Sequence, residues 1–334
     1  MTRQVYQGTG WPLPDQGQGP AIPDPPPWRA FDGGPVLPPP PEDDAENHRR
    51  LGSVSPAQPS ASRREVDSVN LSLLLRRPLL VTGRPGTGKS ALAYRIAREL
   101  KLGRVLRWTI TSRSTLNSGL YDYDAIGRVE AANARRAPST EREVGDFLTL
   151  GPLGTALLPY ERPRVLLIDE IDKSDIDLPN DLLGVFEDGE YTIKELSRLA
   201  KVAPEIEVHT ADPDRTAVIR RGRVRCHAFP MIVITSNDER EFPPAFLRRC
   251  LRMHIEDPDV DQLAAMVHAH FRGKESARSR ELIQEFVARS RRVDGLAADQ
   301  LLNAVHLVTS EEYSYDELWD GLIDSVWQRL TEAE

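Results

Sequence analysis

The segment Gly83-Arg84-Pro85-Gly86-Thr87-Gly88-Lys89-Ser90 satisfies the pattern G-x-x-x-x-G-K-[ST] in full. The run Pro78-Leu-Leu-Val-Thr82 before it reads as a short buried strand, and residues 89–101 after it read as a helix. A glycine-rich loop in that setting curls backbone N–H groups around phosphate oxygens, and the helix N-terminus adds a positive dipole. Lys89 can neutralise β- and γ-phosphates, and the Ser90 hydroxyl can ligate Mg²⁺. Gly83, Pro85, Gly86, Thr87, Gly88, Lys89, Ser90 and Ala91 are therefore the expected contacts for a nucleotide, with ATP and Mg²⁺ as the expected cofactors.

Further apolar runs fit one parallel sheet covered on both faces. They are residues 104–110, Val165-Leu-Leu-Ile168, Met231-Ile-Val-Ile-Thr235 and Leu251-Arg-Met-His-Ile255. A helix over Val66 to Leu75 is expected to lead into the first strand. The run 165–168 ends in Asp169-Glu170. Asp169, at the strand's C-terminal end, can hold the Mg²⁺ shell. Glu170 points differently and can polarise an attacking water. Asp172 and Asp175 read as part of a charged loop or the start of a helix. Residues 190–229 are long enough for an insertion, with a hairpin turning at Arg221-Gly222. Beyond Pro258 the periodicity is helical in about four segments. The expected fold is thus α/β, a three-layer parallel-sheet P-loop core followed by a small all-α lid. The expected domains are an irregular Pro-rich arm (1–61), the nucleotide-binding domain (62–257) and the lid (258–334).

The first 60 residues hold 14 of the 27 prolines, which disfavours regular helices and central strands there. Two readings stay open: a disordered tail, or an arm lying on a neighbouring subunit or partner. Trp11, Trp28 and Phe31 favour the arm, because disordered tails are poor in aromatics. The net charge of −8 argues against a constitutive nucleic-acid binder. Cys226 and Cys250 form no metal pattern and no disulfide framework, and read as reduced thiols. No apolar run reaches the length of a membrane span, and residues 1–14 lack a signal-peptide core. The cytoplasm is the expected compartment. The preference for Arg over Lys hints at a GC-rich bacterial genome.

The P-loop, Ile168-Asp169-Glu170-Ile171-Asp172, Ile234-Thr235-Ser236-Asn237 and Phe246-Leu247-Arg248-Arg249 together resemble the AAA+ ATPases, and most of all the MoxR-like group, over roughly residues 62–310. Gly151-Pro-Leu-Gly-Thr-Ala156 and Leu182 to Asp188 also look like that group. The resemblance implies that Asn237 is the sensor-1 residue, orienting the attacking water. It implies an arginine finger acting on the adjacent subunit's nucleotide, with Arg249 the better aligned and Arg248 the competing choice. A finger in trans implies a ring, most often a hexamer. The sensor-2 arginine of similar proteins is missing: Asp299 falls in its place, with Arg291 and Arg292 out of register. Tyr121 and Tyr123 either grip a polypeptide in a central pore or pack against residues 145–160.

The resemblance implies Mg-ATP hydrolysis driving remodelling of, or chaperone-like action on, a protein. The von Willebrand factor A-type partner common among such proteins is expected as a separate chain. Two alternatives stand beside it. One is a nucleotide-gated switch or assembly subunit of a bacterial multi-component system, with defence systems among the candidates. The other is a DNA-acting motor, which salt-dependent DNA binding would reveal.

Overall fold

The computed structural model describes residues 4–12, 20–53, 61–134, 141–271, 277–290, 298–309 and 326–327. Its strands are β1 (Leu79–Thr82), β2 (Leu106–Thr109), β3 (Tyr121–Tyr123), β4 (Leu148–Leu150), β5 (Val165–Asp169), β6 (Glu190–Thr192), β7 (Glu205–His209), β8 (Thr216–Arg220), β9 (Arg223–Arg225), β10 (Met231–Ser236) and β11 (Leu251–His254). Its helices are α1 (Asp44–Leu51), α2 (Arg63–Leu75), α3 (Ala91–Leu100), α4 (Leu116–Leu120), α5 (Ala125–Ala134), α6 (Pro152–Ala156), α7 (Leu178–Asp188), α8 (Lys194–Leu199), α9 (Pro244–Leu247), α10 (Val260–Phe271), α11 (Ala277–Ser290) and α12 (Ala298–Thr309).

The five apolar runs form one all-parallel sheet in the order β11-β1-β10-β5-β2. β5 and β10 are buried at every position, because both faces of this sheet are covered. Side chains alternate between two cores. Leu79, Val81, Val165, Leu167 and Val233 point to the side of α2 and α3. Leu80, Leu166, Ile168, Ile232 and Ile234 point to the opposite side, which α6, α7 and a second sheet cover.

That second sheet has six strands in the order β3-β4-β7-β8-β9-β6. It absorbs the expected insertion, and the expected hairpin is its β8–β9 turn. Arg221 and Gly222 both take positive φ there, 52° and 71°, as a two-residue hairpin matching strand twist requires. A side chain at Gly222 would also strike the Ser197 backbone, its Cβ lying 2.4 Å from Ser197 N. β3 pairs with β4, so Tyr121 stands opposite Leu150 and Tyr123 opposite Leu148. Tyr121 is buried. Of the two readings of these tyrosines, packing against residues 145–160 is the one observed.

The described parts of the arm are not wholly irregular. Asp43 caps α1 by accepting from the Glu46 N–H, so a helix forms directly after Pro38 to Pro41. The described parts of the arm pack on their own chain. Phe31 stacks on Phe229 at 5.7 Å. Arg29 donates to the carbonyls of Glu187 and Arg76. Gly33 N–H bonds the Cys226 carbonyl, in a contact so close that a Cβ would lie 1.9 Å from Arg225 O. Trp28 alone of the three aromatics stays largely exposed. At the N-terminus Tyr6 is fully buried and its hydroxyl donates to Glu65. The backbone N–H groups of Gln7, Gly8 and Gly10 all donate to the Glu99 carboxylate, which is itself fully buried on α3.

α10, α11 and α12 share a separate core of Leu263, Val267, Leu282, Phe286, Leu301, Val305 and Trp327. A fourth helical segment, and Arg291 and Arg292, lie outside the described residues. Among the described residues no helix is long and apolar enough to cross a membrane. Cys226 and Cys250 are free and buried, and burial pushes each thiol up to about 12.

A buried carboxylate stripped of its donors is costly, more so than a neutral group. Deleting residues 1–11 is therefore predicted to lower unfolding free energy by about 3 kcal/mol, measured by chemical denaturation. Glu99→Gln in the deleted chain should recover part of that loss. An unchanged midpoint after the deletion would refute the role of the contact.

Candidate functional site

Three loops meet at the C-terminal edge of the parallel sheet: the one after β1, the one after β5 and the one after β10. Parallel strands put those ends side by side, so residues distant in sequence converge there. In the first loop Gly83, Gly86 and Gly88 take φ of 151°, 77° and 85°, values closed to most side chains. At Gly83 there is also no room, since a Cβ would lie 2.5 Å from Ile255 O. At Gly88 a Cβ would meet nothing within 4 Å, so the space beside that residue is open. The Lys89 ammonium folds back onto the carbonyls of Gly83 (2.7 Å) and Arg84 (2.6 Å). Burial pulls its pKa below the ordinary lysine range, and the carboxylates of Asp172, Asp169, Glu170 and Asp238 partly offset this.

Asp169 is the centre of the site. It ends β5, is 4% exposed, and accepts from three side chains. Ser90 Oγ donates to its Oδ1 at 2.6 Å and Thr235 Oγ1 to the same oxygen at 2.8 Å. Arg107 donates to Oδ2 from Nη2 (2.7 Å) and Nε (3.1 Å). Burial alone would raise this carboxyl, but the bonds from Ser90, Arg107 and Thr235 outweigh it and hold it below the usual range. The sign follows: a depressed carboxyl stabilises the fold above the ordinary aspartate range, and that contribution is lost as pH falls through the lower folded value.

Glu170 follows in left-handed conformation (φ 63°), which turns its side chain out of the strand's direction. Its N–H donates to Thr235 Oγ1 at 2.8 Å, and its carboxylate pairs with Lys173 at 2.9 Å. Asn237 N–H donates to Asp172 Oδ2 at 2.9 Å, and its side-chain amide to Glu239. Asp172, in a single helical turn over Ile171–Lys173, is therefore a buried bridge to the third loop, and its Oδ1 is buried without a partner. Arg240 closes the same junction by donating to the carbonyls of Ile171, Ser174 and Asp175 and to Ser174 Oγ.

The structure thus brings Lys89, Ser90, Asp169, Glu170 and Asn237 together. It does not bring Arg249 to them. Leu251 stands opposite Leu79 in the parallel β11–β1 pair, so Arg249 lies at the end of the sheet away from Gly83. There its Nε lies 3.6 Å from Glu187, and its side chain is 40% exposed. Arg248 is exposed beside it. Asp299 is exposed in the first turn of α12, whose Ala298 N–H reaches Gly86 O at 3.4 Å. Sequence reasoning passed over Arg107 and Arg240, and it named Asp172 without its bridging role. A lone arginine between Leu106 and Trp108 was the signal for Arg107, and the tight Asp169-Glu170-Ile171-Asp172 cluster for the role of Asp172.

No group of three or more His, Cys, Asp or Glu among the described residues could hold a metal alone. Mg²⁺ does not need one, because it is commonly bound by one or two carboxylates plus phosphate oxygens and water. Ser90 and Asp169 supply hard oxygen donors beside an open glycine loop, so the residues fit Mg²⁺ with a nucleotide. Thr235→Val removes both a donor to Asp169 and the acceptor of the Glu170 N–H. It is predicted to cost about 1–3 kcal/mol by chemical denaturation, with Thr235→Ser losing much less; equal stability of all three proteins would overturn the bridging role.

A profile of the AAA domain, dynein-related subfamily, matches residues 78–250. No curated protein matches the chain. Among solved structures it is similar to PCH-2 of C. elegans at 14% identity, covering 84% of this chain and 72% of that one, with a TM-score of 0.42. That likeness is too distant to bear on mechanism. The matched segment starts at the residue before β1 and stops at the residue before β11. It takes in every loop described above and more than half of the sequence, and on that ground the chain belongs to the AAA domain family, dynein-related subfamily.

Proposed function

We propose that this chain hydrolyses Mg-ATP and uses the turnover to remodel a partner protein, working as a ring of like subunits in the manner of the MoxR-like AAA+ proteins. The observation that carries the reading is the 2.6 Å bond between Ser90 Oγ and Asp169 Oδ1 beneath an open glycine loop. It supports the reading because Ser90 Oγ and Asp169 Oδ1, the two oxygens proposed to serve Mg²⁺, lie together where the first helical turn meets the end of β5. When bound, Mg²⁺ supplies charge neutralisation across the β- and γ-phosphates.

The chain's own residues take separate roles. The glycine loop and the N-terminus of α3 orient the phosphates. Lys89 exchanges its loop carbonyls for phosphate oxygens. Glu170, directed away from Asp169 by its left-handed backbone, accepts hydrogen bonds from the attacking water and draws its proton. Asn237, anchored through Asp172, positions that water. Arg249 is the finger, supplied to the next subunit's γ-phosphate. Its place at the far end of the sheet supports action in trans, since it is remote from its own subunit's loop. A hexamer, a von Willebrand factor A-type partner and a lid formed from residue 258 onward complete the proposal.

One observation favours a second reading, a nucleotide-gated switch with slow turnover. The start of α12 touches Gly86, yet presents Asp299 where similar proteins carry a cation for the γ-phosphate. Turnover in the presence of a client separates the two, because a motor accelerates and a switch does not.

Lys89→Ala is predicted to lose nucleotide affinity in a binding assay. Glu170→Gln should keep binding and lose about 10²–10⁴-fold in kcat. Arg249→Ala should keep binding and lose about 10³-fold or more. Light scattering of Glu170→Gln should show a discrete ring with Mg-ATP and smaller species without it. Normal hydrolysis by Arg249→Ala would overturn the finger assignment.

A further inference from the structure

A second cleft, of about 320 Å³, lies behind the candidate active site, between α1 of the arm, α3 and the edge strand β2. Glu46, Arg49, Arg50, Tyr94, Arg104 and Arg107 contribute to its walls. Four guanidiniums face one carboxylate in that lining. Glu46 accepts from both Arg49 and Arg50, which hold its carboxyl down to about 2 despite partial burial. Arg50 also lies over the Tyr94 ring, 5.5 Å from its centroid. Arg104 is paired through Nε with Asp43 at 3.3 Å, but its Nη1 is buried with no hydrogen-bond partner. Arg107 is shared with Asp169. Counting Asp43 and Asp169 behind the walls, four cations still meet only three anions, in a chain whose net charge is −8.

Such crowding of like charge is unfavourable unless something neutralises it. The forked donors of arginine match the oxygens of phosphate groups, and an unpaired buried guanidinium N–H is the kind of donor such an oxygen satisfies. The volume lies at the small end of ligand pockets. It suits a compact oxyanion and is tight for a whole nucleotide. We propose that this cleft binds a small, free, multiply charged phosphate compound of about the size of pyrophosphate, with Arg104 and Arg50 as its principal ligands. The site is separate from the glycine loop and does not rest on the reading given above. It exists only because the arm contributes α1 as one wall.

Calorimetric titration of the full chain with inorganic pyrophosphate tests this, since pyrophosphate can also enter the glycine loop. The Lys89→Ala protein removes that competing site and should retain one binding event. In that background Arg104→Ala and Arg50→Gln should each weaken binding by about tenfold or more. Arg104→Lys should weaken it less, and Arg220→Ala, at an exposed pair on the second sheet, should leave it unchanged. Abolition of all binding by Lys89→Ala would overturn the proposal while upholding the phosphate role of the glycine loop. Equal affinity across the arginine variants would overturn it too. Circular dichroism of each variant separates loss of a ligand from loss of the fold.

Discussion

The Asp169 carboxylate is the interaction on which the rest of this structure hangs. One side chain, at the end of the interior strand β5, accepts from Ser90 at the head of α3, from Thr235 in β10 and from Arg107 in β2. Those three donors come from three different strand or helix connections. A parallel sheet has no hairpins to hold its loops in register, so the ends of its strands must be tied by side chains. The tie is an ionised group at low exposure, which survives burial only because it is saturated with donors. The same concentration of donors keeps the carboxylate charged, which is the state a hard metal cation requires.

Around this node the polar contacts form a second tier. Thr235 passes the connection on to the backbone of Glu170, Asp172 carries it to Asn237, and Arg240 fastens the turn after β5 from the opposite side. The backbone at Glu170 and Asp238 takes left-handed φ without glycine, at 63° and 60°. Such conformations persist where neighbours over-determine them. Here the neighbours are the members of this network. Position and strain therefore have one source.

What could be read from the sequence follows a physical line. β5 and β10 were the most legible strands, because a strand buried on both faces must be apolar along most of its length, as Val165–Ile168 and Met231–Ile234 are. The glycine loop was legible because three left-handed positions demand glycine at fixed spacing. Lys89, Ser90, Asp169 and Glu170 inherit their places from those elements. The second sheet was mostly hidden, because β3, β4, β6 and β9 are three residues long and too short for any period to show. Only its β8–β9 turn announced itself, through Arg221-Gly222. Helix α1 was masked by the surrounding prolines, although Asp43 is a sound cap. Arg107, Arg240 and the bridging role of Asp172 were missed for another reason. Their importance lies in contacts between strands, and nothing in the local sequence encodes which strand will lie beside which.

The arm's contact with Glu99 has a consequence for how the chain is made. Gln7 and Glu99 are 92 residues apart. Translation delivers the N-terminal segment first, and folding during synthesis generally proceeds from that end. The segment can reach Glu65 and Asn70 of α2 earlier, but its Glu99 anchor is missing until α3 has left the ribosome. Residues 7–10 thus emerge before their acceptor and are fixed only after it, so at this contact the order of assembly runs against the order of synthesis. A nascent chain halted before α3 would leave the N–H groups of Gln7, Gly8 and Gly10 without their Glu99 acceptor, so this segment closes over the domain rather than seeding it.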